Sequence, residues 1–402
     1  MTVLVPPLAR DRMVHGWWAV KGLSDAGDAA WTLALAWTAV QIASPGVAGL
    51  IVAAGTVPRA LLLLLGGAVA DRQPTRQVLI SVTLARLAVL AAALAGALGP
   101  GVSVPLLIAV AVGFGCCDAL FEPASATLAR QLVVDDDLAA YSGAAQTVTR
   151  LGTMAGAALG GGLVAAGGLA ASALANAVTY VGVLSYLTLV LRLRIPLPRT
   201  RELPVLRSIL DGFGYLRRDP TARVLVLTLS GLNLAVGPAL GLGSALLVRQ
   251  QGWGASWLGA LEACVAGGAL CAAATMIRRR PRQEARWGFV LLVVQGGAIM
   301  LLALPRLPAA MVACLLIGVS AGAASVLLSA VFMRTVAPAY LGRLASMQRL
   351  GDDVLMPAAM SGFGALAAGA SLGTAFLLFG GAMSGMMAVA LLRIRSPQAS
   401  PG

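Results

Sequence analysis

The chain has 402 residues, 59% of them hydrophobic and only 11% charged, with a mean hydropathy of +0.87. A soluble domain carries about 25% charged residues, so this composition excludes an ordinary water-soluble core and makes lipid the solvent. The net charge of +13 comes without a basic patch interleaved by aromatics, which argues against a nucleic-acid partner.

The N-terminal arm holds Pro6, Pro7, Arg10, Asp11 and Arg12 but no apolar segment. A cleavable signal peptide needs one, so the first apolar run stays as a span. A spanning helix takes about 20 apolar residues. The first six such runs lie roughly at 17–42, 46–70, 77–99, 103–122, 139–165 and 168–191. The second six lie roughly at 222–248, 254–277, 287–305, 308–333, 342–368 and 371–393. Between the sets runs the longest polar stretch, "RLRIPLPRTRELPVLRSILDGFGYLRRDP". Ile209, Phe213 and Leu216 recur there at helical spacing, as in an amphipathic helix on a membrane surface. The expected organisation is an arm (1–16), a six-helix bundle (17–191), a linker (192–221), a second bundle (222–393) and a tail (394–402).

Basic residues orient the spans, since positive charge concentrates in cytoplasmic loops. With the N-terminus inside, 22 of the 29 basic residues fall on the cytoplasmic side, and only Arg249 and Arg306 fall outside. The basic balance is therefore topology. Both termini are expected in the cytoplasm, and the near-absence of lysine beside abundant arginine suits a high-GC bacterium, hence a bacterial inner membrane. Trp17, Trp18, Trp253 and Trp257 fall at expected interfaces and read as belt anchors.

The other five basic residues, Lys21, Arg59, Arg86, Arg150 and Arg349, lie inside predicted spans with several acids. Ionisable groups at membrane depth are costly and face a cavity or a partner. Asp25 has Lys21 four residues before it on the same helix face. Asp28, about 16 Å into span one, has no such cation, which makes it the first proton-carrier candidate; Asp25 and Glu262 follow. Arg150, also near mid-membrane, is the expected distant partner of Asp28. Arg349 is expected to neutralise Asp353 or Asp352. Asp118 and Glu122 read as structural, and Arg59 and Arg86 as snorkelling or paired. Gly156, Gly160 and Gly161 read as helix-packing positions.

The five cysteines sit in apolar segments and His15 is the only histidine. Nothing has metal-ligand spacing, so no metal or cofactor is expected. There is no phosphate-binding G-x-x-x-x-G-K-[ST] loop for an ATP-driven mechanism.

"YSGAAQTVTRLG" in span five and "YLGRLASMQRLG" in span eleven share Tyr, Gly, Arg, Leu and Gly at a constant offset of 199 residues. That is the mark of two parallel six-helix halves. Between spans two and three, "GGAVADRQPTRQ" resembles the signature loop of the major facilitator superfamily, G-x-x-x-D-R-x-G-R-R. Gly67, Asp71, Arg72 and Arg76 fall on its positions; Pro74 and Thr75 depart from it. The stretches "SDAGD", "SPGVAGLIVAAGTVPRALL", "FEPASATLARQLV" and "GAALGG" look like the drug–proton antiporter branch, similar to macrolide-efflux and enterobactin-export proteins. Ala157 stands where those antiporters carry Pro, and "MIRRRPRQ" lacks an acid matching Asp71.

The resemblance implies an all-α integral membrane fold, with twelve transmembrane helices in two pseudo-symmetric six-helix bundles. It implies proton-coupled export of a small amphipathic molecule by alternating access, with Gly67, Asp71, Arg72 and Arg76 gating. The partners implied are a small-molecule substrate, protons and membrane lipid, for a monomer that is not an enzyme. An importer or uniporter of the same fold is the alternative within transport. A membrane-embedded enzyme on lipid-linked substrates is the alternative of another class, for which only "VVDDDL" offers clustered acids.

Overall fold

A computed structural model describes residues 6–72, 74–99, 101–195, 214–279, 281–335 and 338–393. Twelve long helices run through them, with no strand among the described residues.

Helix α1 (Arg12–Ile42) starts on Asp11, whose carboxylate accepts from the backbone N–H of Met13 and Val14 at 3.1 and 3.2 Å. Such a cap satisfies donors that a helix start leaves orphaned. Helices α2 (Pro45–Arg72), α3 (Thr75–Leu98) and α4 (Val104–Leu132) follow. Pro45 opens α2, where a missing N–H costs nothing.

The next apolar stretch breaks once, at Gly167 (φ −164°, ψ 23°) and Gly168 (φ 60°, ψ −143°). A φ of +60° suits glycine and strains other residues, so the break separates α5 (138–166) from α6 (169–190). The last turn of α6, Tyr186–Val190, is π-helical.

Helix α7 (220–250) passes through Pro238 and a π-helical turn, Ala239–Gly243. Then come α8 (Ala255–Arg278), α9 (Glu284–Leu301), α10 (Leu307–Thr335), α11 (Pro338–Gly369) and α12 (Leu372–Arg393). Among the described residues, eight stretches are individually long and apolar enough to cross a membrane, and one of them, Ala140–Val190, contains most of α5 together with α6. α1 and α11, which carry intramembrane acids, are not among the eight. The helices that carry the repeat, α5 and α11, begin at residues 138 and 338.

Three expectations need correction. Span four is predicted to end at 122, yet α4 continues through Pro123 to Leu132. Ala124, Leu128, Ala129 and Leu132 on that extension are buried in the core around Phe121 and Leu187, and this tertiary burial outweighs the proline. Trp17 is not a belt anchor: it is 2% exposed and belongs to the same core. His15, assigned to the arm, already lies in α1 and stacks on Trp18, 5.5 Å between ring centroids. In the predicted linker helix, Ile209 and Phe213 lie outside the described residues; Leu216 is buried against Val226 and Leu344.

The chain divides into two compact units. One comprises residues 1–43, 51–201 and 254–259; the other comprises 44–50, 202–253 and 260–402. In the first, α1 lies along α5 through small residues. A methyl group on Gly152 would run into the backbone of Gly22, and one on Gly156 into that of Ala26; on Gly160 it would sit 3.0 Å from the Ala30 Cα. Small residues at spacing four let two backbones close together in lipid. Gly161 points elsewhere, to Gly259 in α8.

In the second unit, α9 and α12 meet at Gly296 and Gly380, and the Ser384 hydroxyl donates to the Val293 carbonyl at 3.0 Å. Phe363 packs edge-on against Phe376 and Phe379, at 5.4 and 5.1 Å between centroids.

Candidate functional site

Asp28 lies sixteen residues into the 31-residue α1, about 24 Å along a helix of about 46 Å. It stands near the middle of a span. Its Oδ1 accepts two hydrogen bonds from α6: one from Asn176 Nδ2 at 3.1 Å and one from the Tyr180 hydroxyl. No described residue donates to Oδ2.

The partners are themselves held. Thr179 Oγ1 donates to the Asn176 backbone carbonyl at 2.8 Å and lies 3.1 Å from Asn176 Oδ1, against the amide that reaches Asp28. Gly27, beside Asp28, makes the approach possible: a Cβ there would lie 2.8 Å from Thr179 Oγ1 and would strike Asn176. Tyr180 is 1% exposed and stacks over Phe114, which in turn stacks on Trp31, at 6.4 and 5.5 Å between centroids.

The charge facing Asp28 comes from Arg86 of α3. Arg86 is 4% exposed and is bonded to Asp118 of α4. Its guanidinium carbon sits 4.3 Å from the Phe121 ring centroid and 5.3 Å from that of Tyr180. A planar guanidinium suits both a carboxylate and two aromatic faces. Arg86 Nε keeps no hydrogen-bond partner among the described residues. Four helices thus bring together two acids, one arginine, one phenol and one amide.

Asp25, one turn before Asp28, takes the Lys21 ammonium onto Oδ1, as its spacing suggests. Its Oδ2 is buried and unpartnered among the described residues. Arg150 is exposed on α5 and is not among the groups surrounding Asp28; the expected Asp28–Arg150 pairing gives way to Arg86. Glu262 is half-buried on α8, with Cys314 of α10 as its electrostatic neighbour. Asp352 accepts from Asn233 Nδ2 of α7 at 2.7 Å. The side chains of Arg349, Asp353, Gly67, Asp71 and Arg72 lie outside the described residues. Arg76 does have a visible role: its Nε and Nη2 donate to the carbonyls of Leu187 and Thr188 at 2.7 and 2.6 Å, closing the π-helical end of α6.

Tyr180 and Asn176 are not among the residues singled out from sequence. They form an i,i+4 polar pair in an otherwise apolar span, and that was the available signal. Arg86 and Asp118 were seen, but from sequence alone neither could be assigned to the other.

A polytopic helical fold with a charged cluster held at mid-span defines the chain as a transporter-type membrane protein. It belongs to the major facilitator superfamily, whose sequence profile, described as Major Facilitator Superfamily, matches residues 18–356. The fold is similar to that of the nucleoside transporter NupG (D323A mutant), with TM-score 0.70 and 13% identity over 95% of this chain and 99% of that one. It is also similar to a bacterial homologue of the iron transporter ferroportin in an inward-facing state: TM-score 0.69, 18% identity, 96% of this chain and 100% of that one. The human organic anion transporter MFSD10 (TETRAN) follows with TM-score 0.64 and 17% identity over 96% and 99%. At these identities the likeness extends to the fold alone. No curated protein matches the chain.

Proposed function

We propose that the chain is a proton-coupled exporter of a small amphipathic molecule, such as a drug, antibiotic, siderophore or secondary metabolite. It works by alternating access in a bacterial inner membrane, as a monomer with both termini in the cytoplasm. The motif stretches around spans one, two, four and five support the antiporter branch, and the distribution of arginines supports the orientation.

The observation that carries the proposal is the carboxyl of Asp28. Tyr180 and Asn176 both hold Oδ1, which leaves Oδ2 to take and release the proton. Arg86 gives the proton a consequence. With Asp28 protonated, Arg86 is held by Asp118 alone; with Asp28 ionised, the two acids compete for one cation. A shared arginine is a two-state element that protonation biases. Asp25 and Glu262 rank behind Asp28, and Gly67, Asp71, Arg72 and Arg76 act in gating.

Transport of fluorescent amphipathic dyes into inverted membrane vesicles under a pH gradient tests this. Wild type is expected to accumulate dye and to stop when a proton ionophore is added. Asp28→Asn falls to background, whereas Asp25→Asn retains most of the rate. If both variants transport at the wild-type rate, the proton role of Asp28 is wrong. Gradient-driven accumulation in intact cells would instead make the chain an importer.

A further inference from the structure

We propose that the end of α6 carries a binding site for the phosphate headgroup of an anionic phospholipid. A cavity of about 430 Å³ opens there, lined by Arg76, Thr188, Leu189, Leu191, Arg192 and Leu193. Arg76 comes from the first turn of α3 and Arg192 from the extended chain beyond the π-helical turn. Two arginines therefore line one opening. Arg76 spends two N–H groups on the carbonyls of Leu187 and Thr188. A guanidinium has five, so three remain for a phosphate oxygen. Arg192 is exposed beside them; the Thr188 hydroxyl is spent on the Leu184 carbonyl at 2.8 Å.

The neighbouring charges leave this patch positive. Arg194 is committed to Asp11 through both of its terminal nitrogens. That pair is neutral, and it fixes the chain on the far side of Arg192, where the N–H groups of Arg194 and Ile195 donate to the Gln131 carbonyl at 3.0 and 3.1 Å.

Two further features distinguish a lipid from a free phosphate. Leu189, Val190 and Leu193 are 80%, 47% and 39% exposed at the rim, where acyl chains would lie. The depth is interfacial: at the same end of the unit, Trp18 packs on Tyr141, 5.3 Å between centroids, and the Tyr186 hydroxyl donates to the Met13 carbonyl at 2.6 Å. Aromatic side chains with a polar edge settle at headgroup level, and basic pockets between spans at that level take anionic headgroups.

Thermal unfolding and native mass spectrometry of the full chain in detergent, titrated with defined lipids, test the site. Phosphatidylglycerol is expected to stabilise the wild type and remain bound where phosphatidylcholine does not. Arg192→Ala weakens phosphatidylglycerol about fivefold, the effect expected for one arginine at a membrane surface. Arg10→Ala, on the same face but off the cavity, leaves it unchanged. Equal losses from Arg192→Ala and Arg10→Ala would reduce the effect to diffuse charge and overturn the site, as would equal stabilisation by the two lipids. Glycerol phosphate acting as well as phosphatidylglycerol would overturn the lipid as occupant. Arg76 is left intact throughout, because it also closes α6.

Discussion

The two units place their polar groups differently. The first gathers Asp28, Arg86, Asp118, Asn176 and Tyr180 into one linked set, with Lys21 and Asp25 a turn away. In the second, among the described residues, Glu262 neighbours the Cys314 thiol and Asp352 accepts from Asn233. The second unit is also rich in methionine. Ten of the 13 methionines lie beyond residue 250, and Met356, Met360 and Met386 pack against Gly237, Gly241 and Gly231. Hydrogen-bonded polar sets fix geometry, whereas thioethers adapt to irregular shapes. The contrast is between one linked polar set and packing built around adaptable thioethers.

The largest effect should come from the buried ion pair. Arg86→Leu removes the cation from Asp118 and is expected to destabilise the first unit by about 3 kcal/mol. That is the low end for a broken buried pair, because Asp118 keeps a third of its side chain exposed. The exposed pair of the second unit, Arg334–Glu284, makes the contrast: Arg334 is 60% exposed, and Arg334→Leu should cost about 0.2–1 kcal/mol. Equal losses in denaturant titrations would erase the distinction between the units.

Packing comes next. Gly156→Leu drives a side chain into the Ala26 backbone and should cost about 1–3 kcal/mol. Gly385→Leu, in the second unit, meets open space and should leave the melting temperature in detergent nearly unchanged.

The smallest effect is a pH dependence at the start of α1. Burial pushes the Asp11 carboxyl up, but the Arg194 hydrogen bonds and the backbone donors of Val14 and Met13 outweigh it, and the group ends below its ordinary value of 3.8. A carboxyl lowered in the folded state contributes stability that is present in full above 3.8 and is lost as pH falls through the folded value. Asparagine caps a helix as well as aspartate does, but it gives up the charge facing Arg194; Asp11→Asn should therefore cost about 1 kcal/mol at pH 7 and progressively less in acid, with the two melting curves meeting at the acid end. A constant gap across that range would refute the assignment.

The helices were legible because spanning lengths of apolar sequence admit few other structures in lipid. Their ends followed from Pro and Gly, as at Pro45 and Gly168. The α4 extension was not legible, since Pro123 looks like a stop and only the burial of Leu128 and Leu132 shows why the helix continues. Lys21–Asp25 could be read because both partners share one helix. Asp28 was recognised as exceptional, but not its company: Arg86, Asp118, Asn176 and Tyr180 come from three other helices, and their convergence depends on how those helices pack. Arg150, the more conspicuous arginine by depth, faces elsewhere.

The Asp28 carboxyl is handed: one oxygen is committed to two donors and the other is open. An asparagine at this position then has one sensible orientation. Its carbonyl keeps Tyr180 and Asn176, and its NH₂ stands where the proton-bearing oxygen would be. On the proton role proposed for Asp28, Asp28→Asn is thus a permanent copy of the protonated site. A structure of that variant would show the arrangement of Arg86 and Asp118 on one side of the transport cycle, at a pH where the wild type would populate both.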